Sequence, residues 1–346
     1  MITFSKALIV SAALAAPPAA APAQVSSPPA NESVTEAVDN MRAEYLRLEN
    51  QTDAASSISQ EKRAALVRRI SWGYHALDGD PFASRPEVQP EKQEQLAFDR
   101  AVVDNALAGI PLPIVATPGP HEAVLNNSTS EPLAYFVPAQ KPEHMLVLLP
   151  GQQESETDVI TRTALQQLAE KTRTLLVVPG LDGARTLDDV AQDVSLAEGA
   201  FAPRYRFDAT TTYLGGVSAG ASLQFQVPQR LHHSFAGYLA IDGTLPGGDV
   251  AILLRAMSRG SAAIYFVSGE RDKHVPATAI RASVSQVRAA GVPALYYEQP
   301  GGVASVDSLA PAIGRAWSDM MQGVTKIPDD GLGGLPGDKL PGGVGL

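Results

Sequence analysis

The spacing of apolar residues divides the chain into two textures. From Ser33 to Ala108 they recur at helical intervals. Val34, Val38, Met41, Tyr45 and Leu48 form one stripe, Leu66, Ile70, Tyr74 and Leu77 a second, and Leu96, Val103 and Leu107 a third. That period puts side chains on one face of a helix, so three helices are predicted. Ser33-Val34-Thr35-Glu36 reads as a capping box that opens the first. The second is expected from about Ser59 to Leu77, where Gly79-Asp80-Pro81 stops it. The third covers Pro90 to Ala108 and ends before Gly109 and Pro111. This accessory region, 33–110, carries no readable chemistry. Packing on the main domain, or partly covering it, is its expected role.

From Pro111 the pattern changes to short apolar runs. Ala123-Val124-Leu125 and Leu133 to Val137 flank Asn126-Asn127-Ser128 and read as a hairpin. Met145–Leu149, Thr174–Val178, Thr211–Leu214, Ala236–Ile241, Ala262–Val267 and Ala294–Tyr297 follow as strands. Helical stretches such as Thr161–Lys171, Ala219–Arg230 and Ala277–Ala290 lie between them. Strands apolar on both faces, alternating with helices, imply a sheet covered on both sides. The predicted fold class is therefore α/β over 111–325, a mostly parallel sheet with an antiparallel start. After Val324 the chain is Gly/Pro-rich without periodicity, so 326–346 is expected to be a disordered tail. There are no internal repeats.

Composition narrows the function. The 346 residues are 45% hydrophobic and 18% charged, enough apolar mass for a real core. A net charge of −10 without a basic patch argues against a nucleic-acid partner. The absence of cysteine removes disulfides and thiolate chemistry. No His/Asp/Glu spacing resembles a metal site, and no cofactor is implied. Lys6, the apolar run Ala7–Ala16 and the small-x-small site Ala21-Pro22-Ala23 mark residues 1–23 as a secretory signal. Residues 24–32 form a polar linker. The run is shorter than the ~20 residues of a spanning helix, so export to the periplasm or beyond is expected without a transmembrane segment.

The candidate chemistry centres on Gly216-Val217-Ser218-Ala219-Gly220. With 29 glycines in the chain, this pattern arises by chance in roughly one such sequence in six. Its setting adds the information. The β-formers Thr211-Thr212-Tyr213-Leu214 precede it and an amphipathic helical stretch follows. A strand, a tight turn and a helix are what a nucleophile elbow requires, with the serine held out at the carboxyl edge of the sheet.

Together with that elbow, other segments resemble the α/β-hydrolase superfamily. The likeness is to its exported esterase, feruloyl-esterase and polyhydroxyalkanoate-depolymerase-like branch. They are Pro132–Pro138, the strand and loop Leu146–Gly151, Phe235-Ala236-Gly237-Tyr238, and Gly269-Glu270-Arg271-Asp272-Lys273-His274-Val275-Pro276. The resemblance covers about residues 120–322. It implies Ser218 as nucleophile and the Ala219 N–H as one oxyanion donor. The Gln152 or Gln153 N–H would be the other, and Asp272 the acid that orients a histidine. It also implies a histidine in the loop after the last strand. That loop reads Gln299-Pro300-Gly301-Gly302-Val303-Ala304-Ser305. Ala304 stands in the expected position, with Val303 next.

Of the six histidines, His144, His232 and His233 precede their strands and so lie at the opposite edge of the sheet. His121 lies ahead of the hairpin, and His75 belongs to the helical region. His274, two residues past Asp272, is the candidate substitute base, served by an acid such as Asp242. Asp182 and the pair Asp188-Asp189 are expected to serve a turn and a helix start. Two functions follow. One is a serine hydrolase acting on a small or polymeric ester. The other is a catalytically degenerate binding module of the same fold. Oligomeric state and substrate identity have no readable code.

Overall fold

A computed structural model describes residues 33–326 other than 57, 59, 79–88, 109–113, 125–131, 152–153, 181–185, 248–253, 256 and 258–261. The expected signal, linker and nearly all of the tail lie outside the described residues. So do the stops after the second and third helices, the hairpin turn, Gln152, Gln153 and Asp182.

Eight strands form one sheet: β1 (Gly119–Val124), β2 (Pro132–Val137), β3 (His144–Leu149), β4 (Thr174–Pro179), β5 (Thr212–Val217), β6 (Gly237–Ile241), β7 (Ala263–Gly269) and β8 (Ala294–Gln299). Their order is β1-β2-β4-β3-β5-β6-β7-β8. β2 runs antiparallel to both β1 and β4, and the remaining pairs are parallel. The expected mostly parallel sheet, opened by a hairpin, is what forms.

Alternation along the strands feeds two cores. From β3, Met145, Val147 and Leu149 join Phe201, Phe225 and Phe266 on one face. Leu146 and Leu148 join Leu239, Ile313 and Trp317 on the other. The inner strands β3–β7 therefore read as nearly continuous apolar runs, because neither face meets water.

The helices of this domain are α4 (Glu156–Ile160), α5 (Thr163–Lys171), α6 (Leu187–Tyr205), α7 (Ala219–Leu223), α8 (Val227–Leu231), α9 (Ala277–Ala289) and α10 (Val306–Met321). They follow three in the accessory region, α1 (Val34–Ala54), α2 (Gln60–Asp78) and α3 (Gln89–Ala108). Two expectations need correction. The helix expected over Ala219–Arg230 is broken at Gln224–Gln226, because Pro228 in the first turn of α8 has no N–H to continue an earlier turn. The helix expected from Thr161 begins at Thr163. Thr161 closes the preceding α4, whose start is a reciprocal Ser155–Asp158 capping box. Asp188-Asp189 does open a helix: Thr186 and Asp189 cap α6 in the same manner.

In the accessory region, Val38, Met41, Tyr45, Leu48, Leu66, Ile70 and Val103 pack around one small core. Ser33 Oγ accepts the Glu36 N–H at 3.3 Å. Where these helices meet the sheet, the contact is ionic. The buried Arg69 of α2 bonds Asp99 of α3 at 2.8 Å, and also Glu122 of β1 and Glu156 of α4. It donates to Thr157 Oγ1 at 3.0 Å, and Tyr45 donates to Asp99 at 2.7 Å. Burial pushes the Glu122 and Asp99 carboxyls up. Burial also opposes the Arg69 charge, but the three carboxylates more than restore it. A guanidinium in such surroundings persists only because its partners compensate for lost water.

Candidate functional site

β5 lies between β3 and β6, and every residue of it is buried. At its carboxyl end Ser218 turns to φ 50°, ψ −112° and is exposed. A non-glycine residue there carries backbone strain of order 1–3 kcal/mol, which the surroundings must impose. They do. The Ser218 N–H donates to Ile241 O at 2.8 Å, and its carbonyl accepts from Ser222 N at 3.3 Å. The flanking glycines permit close approach. A Cβ at Gly216 would overlap the Gly220 carbonyl, and one at Gly220 would overlap the Leu149 and Pro150 carbonyls. The turn is thus wedged against the end of β3. Ala219 follows as the first residue of α7, where its N–H has no acceptor within the helix.

Two carboxyls lie at the same edge, beyond β6 and β7. Asp242 follows β6 at φ 54°, and its N–H donates to Val267 O at 2.9 Å. Asp272 accepts from the N–H groups of His274 at 2.7 Å and Val275 at 3.0 Å through Oδ1. Both residues are buried, at 4% and 7% exposure. Their side chains approach closely enough that each shifts the other's titration. Apart from that contact, Asp242 Oδ1 and Asp272 Oδ2 are buried with no hydrogen-bond partner among the described residues. Burial, then the neighbouring Asp272 carboxylate, push the Asp242 carboxyl up to about 8. Burial also acts to raise Asp272, but Asp242 and the two N–H groups outweigh it and hold this carboxyl low. Like charges this close cannot both ionise easily, so the pair keeps one proton at neutral pH.

The loop after β8 is bound tightly to the acid loop. Glu270 N–H donates to Gln299 O at 3.1 Å, Arg271 N–H to Gly302 O at 2.9 Å, and Gly301 N–H to the Glu270 carboxylate at 2.7 Å. Val303 N–H donates to Ser308 Oγ at 3.0 Å. Ala304 is exposed on this loop.

Among the described residues, no hydrogen bond between the Ser218 side chain and an imidazole is seen. His274 is exposed on the acid loop and is tied to Asp272 by its backbone. His233 pairs with Glu198 at 3.1 Å, which raises its pKa. His121 bonds Thr117 O at 2.6 Å. His144 lies edge-on to Tyr213, and His75 is exposed on α2. Among the described residues no group of three or more His, Cys, Asp or Glu could hold a metal ion. The feature that pattern reading missed is the facing of Asp242 and Asp272. The available signal was an aspartate directly after one buried strand and another three residues after the next, on one edge.

No family model and no curated relative matches the chain. Among solved structures, it aligns with the Staphylococcus aureus fluorophosphonate-binding serine hydrolase F at 15% identity and a TM-score of 0.49, over 59% of this chain and 99% of that one. An ester hydrolase from the metagenome of Lake Arreo aligns at 15% identity and 0.49, over 77% and 98%. A ferulic acid esterase aligns at 15% and 0.48, over 61% and 100%. The strand order, the single reversed strand inside the sheet, and the strained serine turn between β5 and α7 give this chain the α/β-hydrolase fold.

Proposed function

We propose that the chain is an exported serine hydrolase-like protein of low activity that acts on a carboxylic ester or related acyl group through Ser218. One observation carries the reading: an exposed serine at φ 50°, ψ −112°, held at the carboxyl end of the central strand by two glycines that admit no side chain. Strain of this kind is maintained where a side chain must be presented. In this reading Ser218 attacks the acyl carbon and the Ala219 N–H receives the oxyanion, with Gln152 or Gln153 as second donor. His274 is the base, served by an acid such as Asp242, and Asp272 holds the His274 backbone. An imidazole on an exposed loop is a poorly held base, which makes the expected rate low.

Hydrolysis of a short-chain aryl ester and covalent capture of Ser218 by a fluorophosphonate probe test the reading together. Wild-type protein that neither turns over nor is labelled would overturn it.

A second reading, a binding module that has lost catalysis, draws on a separate observation. The loop after β8 keeps its backbone bonds to the acid loop but carries Ala304 and no imidazole. Unchanged hydrolysis on Ser218→Ala would favour it.

A further inference from the structure

We propose that Arg69, from the accessory helices, is a positioning residue that fixes the segment after β3 against the serine turn. The kinetic part of this inference rests on the Ser218 reading; the structural part does not.

Pro150 and Gly151 follow β3 and Glu154 and Ser155 lead into α4; the second oxyanion donor is proposed to come from between them. The upstream end is fixed by the sheet, since the Leu149 and Pro150 carbonyls abut Gly220. Gly151 N–H donates to the Glu154 carboxylate at 3.2 Å, Glu154 N–H returns to Gly151 O at 3.1 Å, and Arg162 holds Glu154 at 3.4 Å. The downstream end is the first turn of α4. There Glu156 and Thr157 both bond the Arg69 guanidinium, and Thr157 Oγ1 also donates to Glu122 of β1 at 3.4 Å. Apolar contacts can slide, whereas a planar guanidinium bonded along several edges sets direction as well as distance. The same guanidinium holds Asp99 of α3 and Glu122 of β1. It therefore registers α2, α3, β1 and the first turn of α4 at one buried point, directly after Glu154 and Ser155. The accessory helices become part of the site's framework without lining it.

The test compares full-length Arg69→Met, Arg69→Lys and Thr157→Val with Leu48→Ala, which loosens the accessory core but leaves the guanidinium contacts intact. Amide hydrogen exchange is followed at residues 154–160, with kcat and KM for an aryl ester. Arg69→Met is expected to speed exchange there at least ten-fold. It should lower kcat roughly ten- to a hundred-fold with KM within about three-fold, the pattern of a displaced reacting geometry. Arg69→Lys is expected to recover part of both losses, and Thr157→Val to move both in the same direction by less. Leu48→Ala should leave both near wild type. Should Arg69→Met fail to fold, Thr157→Val carries the test. Unchanged exchange at 154–160 in the folded variants overturns the inference, as does an equal response to Leu48→Ala. If wild type neither hydrolyses ester nor labels at Ser218, the hydrolase reading fails alone, and exchange still decides the clamp.

Discussion

The two ends of the candidate site are built to different standards. At the nucleophile end every backbone demand is met: the turn is strained, the glycines are in contact, and the serine is held by Ile241 O. At the acid end the loops are equally well bonded, yet two buried carboxyls face each other and the nearest imidazole by chain, His274, is exposed. The difference teaches that the constraints holding loops in place are separable from those that move protons. A loop frame can persist with alanine where proton transfer would need an imidazole.

That contrast can be broken most decisively at the serine. Ser218→Ala is expected to lower ester hydrolysis by ~10³-fold, measured as initial rates. The next largest effect runs in the opposite direction. Ala304→His should raise kcat/KM by ~10²-fold or more, the yield of a positioned general base, and shift the rate onto an imidazole titration. Without such a gain, Ala304 is not the position facing the serine. His274→Ala is expected to cost about ten-fold in kcat; a loss under two-fold removes it from the mechanism.

The last effect is on stability and is spread over pH rather than read as a single rate ratio. Asp242 titrates near 8 in the folded chain and near the ordinary carboxylate value when unfolded, so folding takes up a proton. Its contribution is complete below that ordinary value and is lost as pH rises towards about 8. Denaturant unfolding across this range should show stability falling by at most about 1.4 kcal/mol per pH unit from this group. Asp242→Asn, which removes the titrating group at nearly constant volume, should flatten that slope.

Much of this architecture was legible from pattern. Strands such as Thr174–Pro179 are buried throughout and announced themselves as apolar runs, and the serine turn was marked by its glycines. What pattern could not supply depends on partners far apart in the chain. Arg69 reads as one more charge on a polar helix, and two of its three carboxylates lie 53 and 87 residues away. Asp242 and Asp272 were each legible as candidate acids, but their approach to one another depends on the sheet bringing β6 beside β7. The break between α7 and α8 had a visible cause in Pro228, but the helical spacing of the surrounding apolar residues concealed it.

The Arg69 cluster also constrains the order in which the chain can mature. During synthesis α1–α3 leave the ribosome first, with Asp99 the only one of the three acidic partners of Arg69 already made. At about 5–20 residues per second, β1 and α4 emerge seconds later. Until then the nascent helices have a guanidinium and no finished interior to receive it. The interval between delivery of Arg69 and of Thr157 into the compartment where the chain folds thus sets how long an unfinished bundle is exposed to chaperones and proteases.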